Sequence, residues 1–282
     1  MPIQAQFKPT AVPGIPQPPE RIKKIRWKIA VMSGKGGVGK TTVAVNIAAE
    51  LSRRGYSVGI FDSDITGPNV PKALGMLKVP IYASGNSIIP AEGPNGIKVI
   101  SMGLMIREGD PVIWRGPLKN KFIQEVLNSV EWGDLDWLVV DLPPGTGDEP
   151  LSVMQLIPLD GVVIVTTPQE VALMDVRRAI HMARKMEVRV LGIVENMSYL
   201  RCPNGDIVRI FAANGGKKLA EEEGVPFLAE VPMDPEVSKL TDLGIPIALN
   251  KPESEVGKAF QEIVDKIVDQ LGAKQEEGGE ES

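Results

Sequence analysis

Apolar residues fall in two rhythms along this chain. Short runs, KIAVMS (28–33), SVGIFD (57–62), GIKVISM (96–102), DWLVVDLP (136–143), GVVIVTT (161–167), VRVLGIVEN (188–196) and VPFLAEVP (225–232), are apolar at nearly every position and rich in β-branched residues. Such runs suit strands covered on both faces. Between them the apolar positions recur at helical spacing. Over 41–54, Val43, Ile47 and Leu51 stack on one side of a helix. Strand and helix in repeated alternation predict an α/β fold, a single doubly wound, mostly parallel sheet with helices on both faces. Both ends break the rhythm. Residues 1–25 begin with Pro2, Pro9, Pro13, Pro16, Pro18 and Pro19 and are expected to form a flexible arm. Residues 272–282 are acidic and Gly-containing, which predicts a disordered tail, and 26–271 are left as the folded domain. The Gly- and Pro-rich stretch 63–117 is expected to supply functional loops at the sheet edge.

Composition narrows the chemistry. The 282 residues include one His and one Cys, so an internal disulfide is impossible and a closed zinc site in one subunit would need carboxylates. A chain of this size buries about three quarters of its unfolded surface and needs no such staple. The net charge of -5 argues against broad nucleic-acid binding. A basic cluster, Arg21, Lys23, Lys24, Arg26 and Lys28, reads as a solvated strand edge or an anionic-partner patch. No run reaches membrane-span length and no apolar signal core opens the chain, so a cytoplasmic protein without a membrane partner is expected. His181 and Met174, Met182 and Met186 sit in one helical pattern, where a surface histidine and core methionines are expected.

The most informative segment follows the first strand. Gly34-Lys35-Gly36-Gly37-Val38-Gly39-Lys40-Thr41 fits G-x-x-x-x-G-K-[ST] and leads into the amphipathic helix. Glycines let successive N–H groups point at phosphate oxygens, and the helix N-terminus adds partial positive charge. Lys40 is placed to neutralise the terminal phosphates and Thr41 to ligate magnesium. Asp62 and Asp64 are read as lying just past the second strand, and Asp141 ends the fourth, where a carboxylate holds magnesium through water. Gly145, after Pro143 and Pro144, offers an N–H toward a γ phosphate. Caps and turns are the alternative for each aspartate.

The run Lys35 to Thr42 resembles the deviant Walker A loop of the MinD/ParA class of P-loop ATPases. That resemblance implies a nucleotide-linked homodimer in which Lys35 reaches nucleotide across the interface, Asp62 supports the magnesium shell and Asp64 orients the attacking water. It also implies adenine contacts from Asn196 and from Pro232 and Asp234 in VPMDPEV, with turn and cap chemistry as the alternative. Further segments, DSDITGPNVPKALG, VIWRGP, DWLVVDLPPGTGDEPLS, TTPQEVAL and VENMSYLRCPNGD, resemble the Mrp/ApbC family of iron-sulfur cluster carrier ATPases over roughly residues 28 to 250. By resemblance, ATP, Mg2+ and a [4Fe-4S] cluster held by C-x-x-C motifs from two subunits are implied, with iron-sulfur client or assembly proteins as partners. Here Cys202 is present, but Gly205 stands where the second cysteine would be. Cys202 is either a cluster ligand or a small hydrophobe packed in a turn. An ATP-switched dimeric binding protein with no cluster is the other reading.

Overall fold

In a computed structural model, described for residues 19–105, 116–211 and 215–272, every one of the apolar runs forms a strand. The chain enters through one helical turn, α1 (Glu20–Lys23), and continues as β1 (Trp27–Ser33), α2 (Lys40–Arg53), β2 (Val58–Asp62) and a short α3 (Val70–Ala73). A hairpin of β3 (Tyr82–Ser84) and β4 (Ser87–Ile89) follows, then β5 (Ala91–Glu92), β6 (Lys98–Ser101), α4 (Met102–Met105) and α5 (Gly116–Ser129). Next come β7 (Trp137–Asp141), α6 (Asp148–Leu156), β8 (Gly161–Thr166), α7 (Glu170–Lys185) and the long β9 (Val190–Arg201). The remainder is β10 (Ile207–Val208), α8 (Gly215–Glu223), β11 (Phe227–Met233), α9 (Pro235–Asp242), α10 (Ile247–Asn250) and α11 (Glu255–Leu271).

Nine strands make the main sheet, in the order β10-β9-β8-β1-β7-β2-β6-β5, with β11 added in parallel to β9. Antiparallel pairs occur at its margins, β5 on β6 and β10 on β9, and the rest of the ladder is parallel. The expected doubly wound sheet is therefore present. Period-two alternation divides its core between the two faces. Ile29 and Val31 pack under α2, α10 and α11, whereas Ala30 and Met32 pack under α5, α6 and α7. Burial of an Ile, Val or Met side chain there contributes about 1.5–3 kcal/mol, so both helical layers are held by the sheet rather than by helix propensity. Parallel β1, β2, β7 and β8 present their C-terminal ends along one edge, where open α/β sheets receive ligands.

Three expectations change. Residues 19–25 are not part of an extended arm: α1 is helical, and Ile22 and Ile25 are 0% and 1% exposed. Lys28 is not solvated but buried, with its ammonium 2.8 Å from Ile25 O and 3.3 Å from Asp160. The 63–117 stretch is not loop alone, since it carries α3, the β3–β4 hairpin, an edge strand and α4. Residues 1–18, Trp114 and Arg115 of the VIWRGP run, and the acidic 273–282 lie outside the described residues.

Candidate functional site

β1 ends at the buried Ser33, the chain turns through 34–39, and α2 begins at Lys40. Gly37 and Gly39 take φ of +80° and +82°, left-handed backbone that a residue with a side chain would adopt only under strain. Val38, 2% exposed, pins the loop to the core, and its carbonyl accepts a 2.9 Å bond from Asn196 Nδ2. Lys40 Nζ lies 2.5 Å from Asp141 Oδ1, and the Thr41 hydroxyl donates to Asp141 Oδ2 at 2.6 Å. One carboxylate thus holds the loop's last two side chains. The loop opens on a cavity of about 430 Å³ that Lys35, Lys40, Thr41, Thr42 and Asp64 line together. Its size is that of a small-molecule cleft. Lys35 is half-buried at its margin, with Nζ 3.4 Å from Gln169 Oε1.

Asp62 is the last residue of β2 rather than a loop residue, and it is directly opposite Asp141 in the parallel ladder. Both are 0% exposed. Burial is the first cause that raises the Asp62 carboxyl, to about 8, and the neighbouring Asp141 charge is the second. Bonds from Ser101 Oγ at 2.9 Å and Val70 N–H at 3.2 Å work the other way. Burial also raises Asp141, against the pull of Lys40 and Thr41. Asp64 alone reaches the cleft, half-buried, with Oδ1 accepting from the N–H groups of Thr66 and Gly67. Of the two aspartates in DSD, one therefore belongs to the strand and one to the cavity.

The donor set suits Mg2+: a hydroxyl and carboxylates, all hard oxygens, with two of the carboxyl groups buried side by side. Thr41, which lines the cavity, would ligate it, and the buried Asp141 and Asp62 behind it would support its water shell. Among the described residues no three His, Cys, Asp or Glu side chains converge as a closed metal cage. Such a cation would complete its shell with water and phosphate oxygens, as Mg2+ ordinarily does. Asp62 also gives a pH test. Because its folded value lies above its unfolded one near 3.8, the folded state retains a proton that the unfolded chain releases. Its contribution to stability is full below about pH 4 and is lost as pH rises toward 8. Without added nucleotide or metal, the thermal midpoint is expected to fall from pH 5 to pH 8 more steeply in wild type than in Asp62→Asn. Parallel curves would contradict the assignment.

A second hollow, about 460 Å³, adjoins the first and shares Gly37, Gly39, Thr42 and Thr241 with it. Asn196, Pro232 and Asp234 all line it, beside Met197 and Phe260. The expected three are brought together, although not as free groups. Asn196 commits one of its two amide hydrogens to Val38 O, and Pro232 lies within the edge strand β11 rather than in a loop, where its missing N–H costs least. Asp234 caps α9 by accepting from Glu236 N–H at 2.8 Å, so the cap reading holds for it. Gly145 does not offer a free N–H, because it donates to Ser33 O at 2.9 Å and ties β7 to β1.

Cys202 is half-buried in the turn between β9 and β10, where its N–H donates to Asp206 O at 2.8 Å. Gly205 closes that turn at φ +90°, a conformation that a cysteine would adopt only under strain. His181 is exposed, 3.5 Å from Glu223, as expected for a surface histidine. Met182 and Met186 pack on the core, but Met174 is 61% exposed and is not a core residue. Residues that the sequence reading passed over include Ser101, which holds Asp62, and Lys72 and Thr241, which line the first cavity. Ser101 ends the strand beside Asp62, but only the ladder register brings the two together.

Residues 24–268 match the family described as ParA: NUBPL iron-transfer P-loop NTPase. The chain belongs to that family. It is 50% identical to an iron-sulfur cluster carrier protein of Pyrococcus horikoshii, an alignment that covers 96% of this chain and 97% of the relative. It is 45% identical to the iron-sulfur cluster transfer protein NUBPL of Dictyostelium discoideum, with 89% and 78% covered. Among solved structures, a nucleotide-binding protein of Archaeoglobus fulgidus in complex with ADP superposes with a TM-score of 0.75 at 41% identity, over 86% of this chain and 94% of that one. The cell division ATPase MinD of Pyrococcus furiosus gives 0.64 at 26%, over 87% and 100%. The Mrp/ApbC and MinD/ParA resemblances, and the fold they imply, are thus supported. Among the described residues no helix is long and apolar enough to cross a membrane.

Proposed function

We propose that this family member is a Mg-ATP-dependent, homodimeric cytoplasmic ATPase that carries or assists transfer of iron-sulfur clusters. The observation that carries the reading is the convergence of Lys40 and Thr41 on Asp141 beside a cavity that Lys35 and Asp64 also line. The loop N–H groups from Gly34 to Thr42 hold phosphate oxygens, and Lys40 offsets their charge. Bound Mg2+, held through Thr41, Asp62 and Asp141, supplies further neutralisation of the phosphates. Asp64 orients the attacking water with its second oxygen. Lys35 of one protomer approaches nucleotide held by the other and stabilises charge on the transferring phosphoryl group. Asn196, Pro232 and Asp234 border the adenine. The absence of an Asn-Lys-x-Asp guanine motif accords with ATP.

For Lys35→Ala we expect ATP to bind while ATP-linked dimerisation and turnover are lost. Sedimentation that shows a normal ATP-dependent dimer would contradict the cross-interface role.

The cargo is tested separately. Anaerobic reconstitution with iron and sulfide is expected to load the wild type, and Cys202→Ser is expected to lose most of that iron. Equal loading would remove Cys202 as a ligand. A second reading, an ATP-switched binding protein without a cluster, is favoured by one observation: Gly205 in its left-handed turn leaves one thiol per protomer, where a [4Fe-4S] cluster usually takes four. No iron bound by the wild type would select it.

A further inference from the structure

Among the described residues, Lys35, Lys40 and Lys72 line the phosphate cavity together. The first two belong to the phosphate loop, where Gln169 lies beside Lys35 and Asp141 holds Lys40. Lys72 comes from outside it. It sits on α3, downstream of Asp64, and its ammonium is 3.0 Å from Asp242 Oδ1 at the end of α9. Asp242 borders the adjoining hollow, and Thr241 before it borders both spaces. The Lys72–Asp242 pair therefore spans the seam between the phosphate cavity and the hollow that Asn196 and Pro232 line. The backbones beneath the pair are fixed, because the turns after α3 and α9 press together at Gly75 and Gly244, with no room for a Cβ on Gly244. The side chains themselves are open, 51% and 67% exposed, and an ion pair so accessible to water contributes little. Lys72 can thus leave Asp242 by rotation about its own side-chain bonds, without movement of the chain.

We propose that Lys72 is a further phosphate-binding residue of this site, which exchanges Asp242 for oxygens of the phosphate chain when a nucleoside di- or triphosphate enters the cavity. The proposal rests on the nucleotide reading above and adds to it a cation from outside the glycine loop. Energetics favour the exchange. A charge-assisted bond from an ammonium to a phosphate oxygen is one of the stronger polar contacts, whereas the exposed carboxylate offers a weak one. Asp242 is then a competitor for Lys72 rather than a brace. The exchange also gives α3 a role, since it ties the segment that carries Asp64 to the phosphates through a second point.

Calorimetric titration of the full-length protein with ADP and magnesium tests it. Lys72→Met keeps the apolar stem, removes the charge and is expected to weaken ADP binding about tenfold, the loss of one charge-assisted bond. Asp242→Asn removes the competitor and is expected to tighten binding about threefold. The opposite signs separate the proposal from a structural role, because a bridge that only braced α3 against α9 would weaken binding when either partner is lost. In the double variant the gain from Asp242→Asn should vanish. A gain that persists without Lys72 would assign the effect to the charge of Asp242 alone and overturn the proposal. Unchanged binding by Lys72→Met, or unchanged or weaker binding by Asp242→Asn, would overturn it too. The deficit of Lys72→Met should shrink as salt is raised, since the contact is with an anion at a half-exposed side chain. A deficit indifferent to salt would rule out phosphate as what Lys72 meets. Failure of the wild type to bind ADP at all would remove the nucleotide reading itself, and this proposal with it.

Discussion

Lys40→Ala is expected to lower ATP turnover by on the order of 10²–10³-fold, as removal of one preorganised charge-stabilising group does. The loss has two origins. The variant lacks the ammonium that meets phosphate oxygens, and it leaves Asp141, 0% exposed, without the cation 2.5 Å away. Removal of one partner from a buried ion pair ordinarily costs about 3–5 kcal/mol, because the remaining charge stays out of water. Burial already raises the Asp141 carboxyl, so a proton can replace part of what Lys40 supplied. The stability deficit of the variant should therefore be smaller at pH 5 than at pH 8. Steady-state turnover together with thermal midpoints at both pH values checks the two effects. Unchanged turnover in purified protein would remove the phosphate-site assignment.

The second large effect is structural. Gly244 adopts φ +75°, and a Cβ placed there would lie 2.2 Å from both N and Cα of Gly75, with Lys72 O at 3.1 Å. Those neighbours are backbone atoms and cannot rotate away. Left-handed strain in a non-glycine residue and overpacking each cost about 1–3 kcal/mol, so Gly244→Ala is expected to lose about 3 kcal/mol or more. For a chain of this size that is a drop of roughly 10 °C in midpoint. Gly224→Ala is the control: φ is +62°, but nothing lies within 4 Å of the added methyl group. It should show the conformational penalty alone. Because Lys72 and Thr241 flank the Gly75–Gly244 contact and line the phosphate cavity, Gly244→Ala should also weaken ATP binding. Calorimetry on the two variants decides the point, and equal losses would show that the close approach contributes nothing.

The parts of the fold that were legible in the sequence are those governed by local rules. Apolar runs became strands because burial on both faces demands continuous hydrophobicity, and Val43, Ile47 and Leu51 fell on one side of α2 because the helical period puts them there. The phosphate loop was legible because glycine, lysine and threonine are required at fixed offsets. What stayed hidden depends on partners distant in sequence. Asp62 seemed a loop residue until the ladder put it opposite Asp141, and Ser101 became visible only through the β2–β6 register. Gly145 carries the right group near the right place, yet its N–H is already taken by Ser33 O, and one of the two Asn196 amide hydrogens is held by Val38 O. Lys28 seemed one more surface cation in a basic run, and only the position of Asp160 explains its burial. Residues 20–25 followed a proline-rich start, and periodicity over so few residues could not foretell that Ile22 and Ile25 would be buried.

The pairing of Asp62 with Asp141 is written into adjacent parallel strands, not into loops. Strands sit about 4.8 Å apart whatever side chains they bear, so no loop movement can separate the two carboxylates while the ladder survives. Beyond the bonds from Ser101 and Val70, relief comes from something positive placed near them, and the candidates are a proton, the Lys40 ammonium and a divalent ion. These three are rivals for one seat. Acid and magnesium should therefore antagonise each other at this site, and a cation that takes over Asp141 should leave Lys40 free to turn toward phosphate.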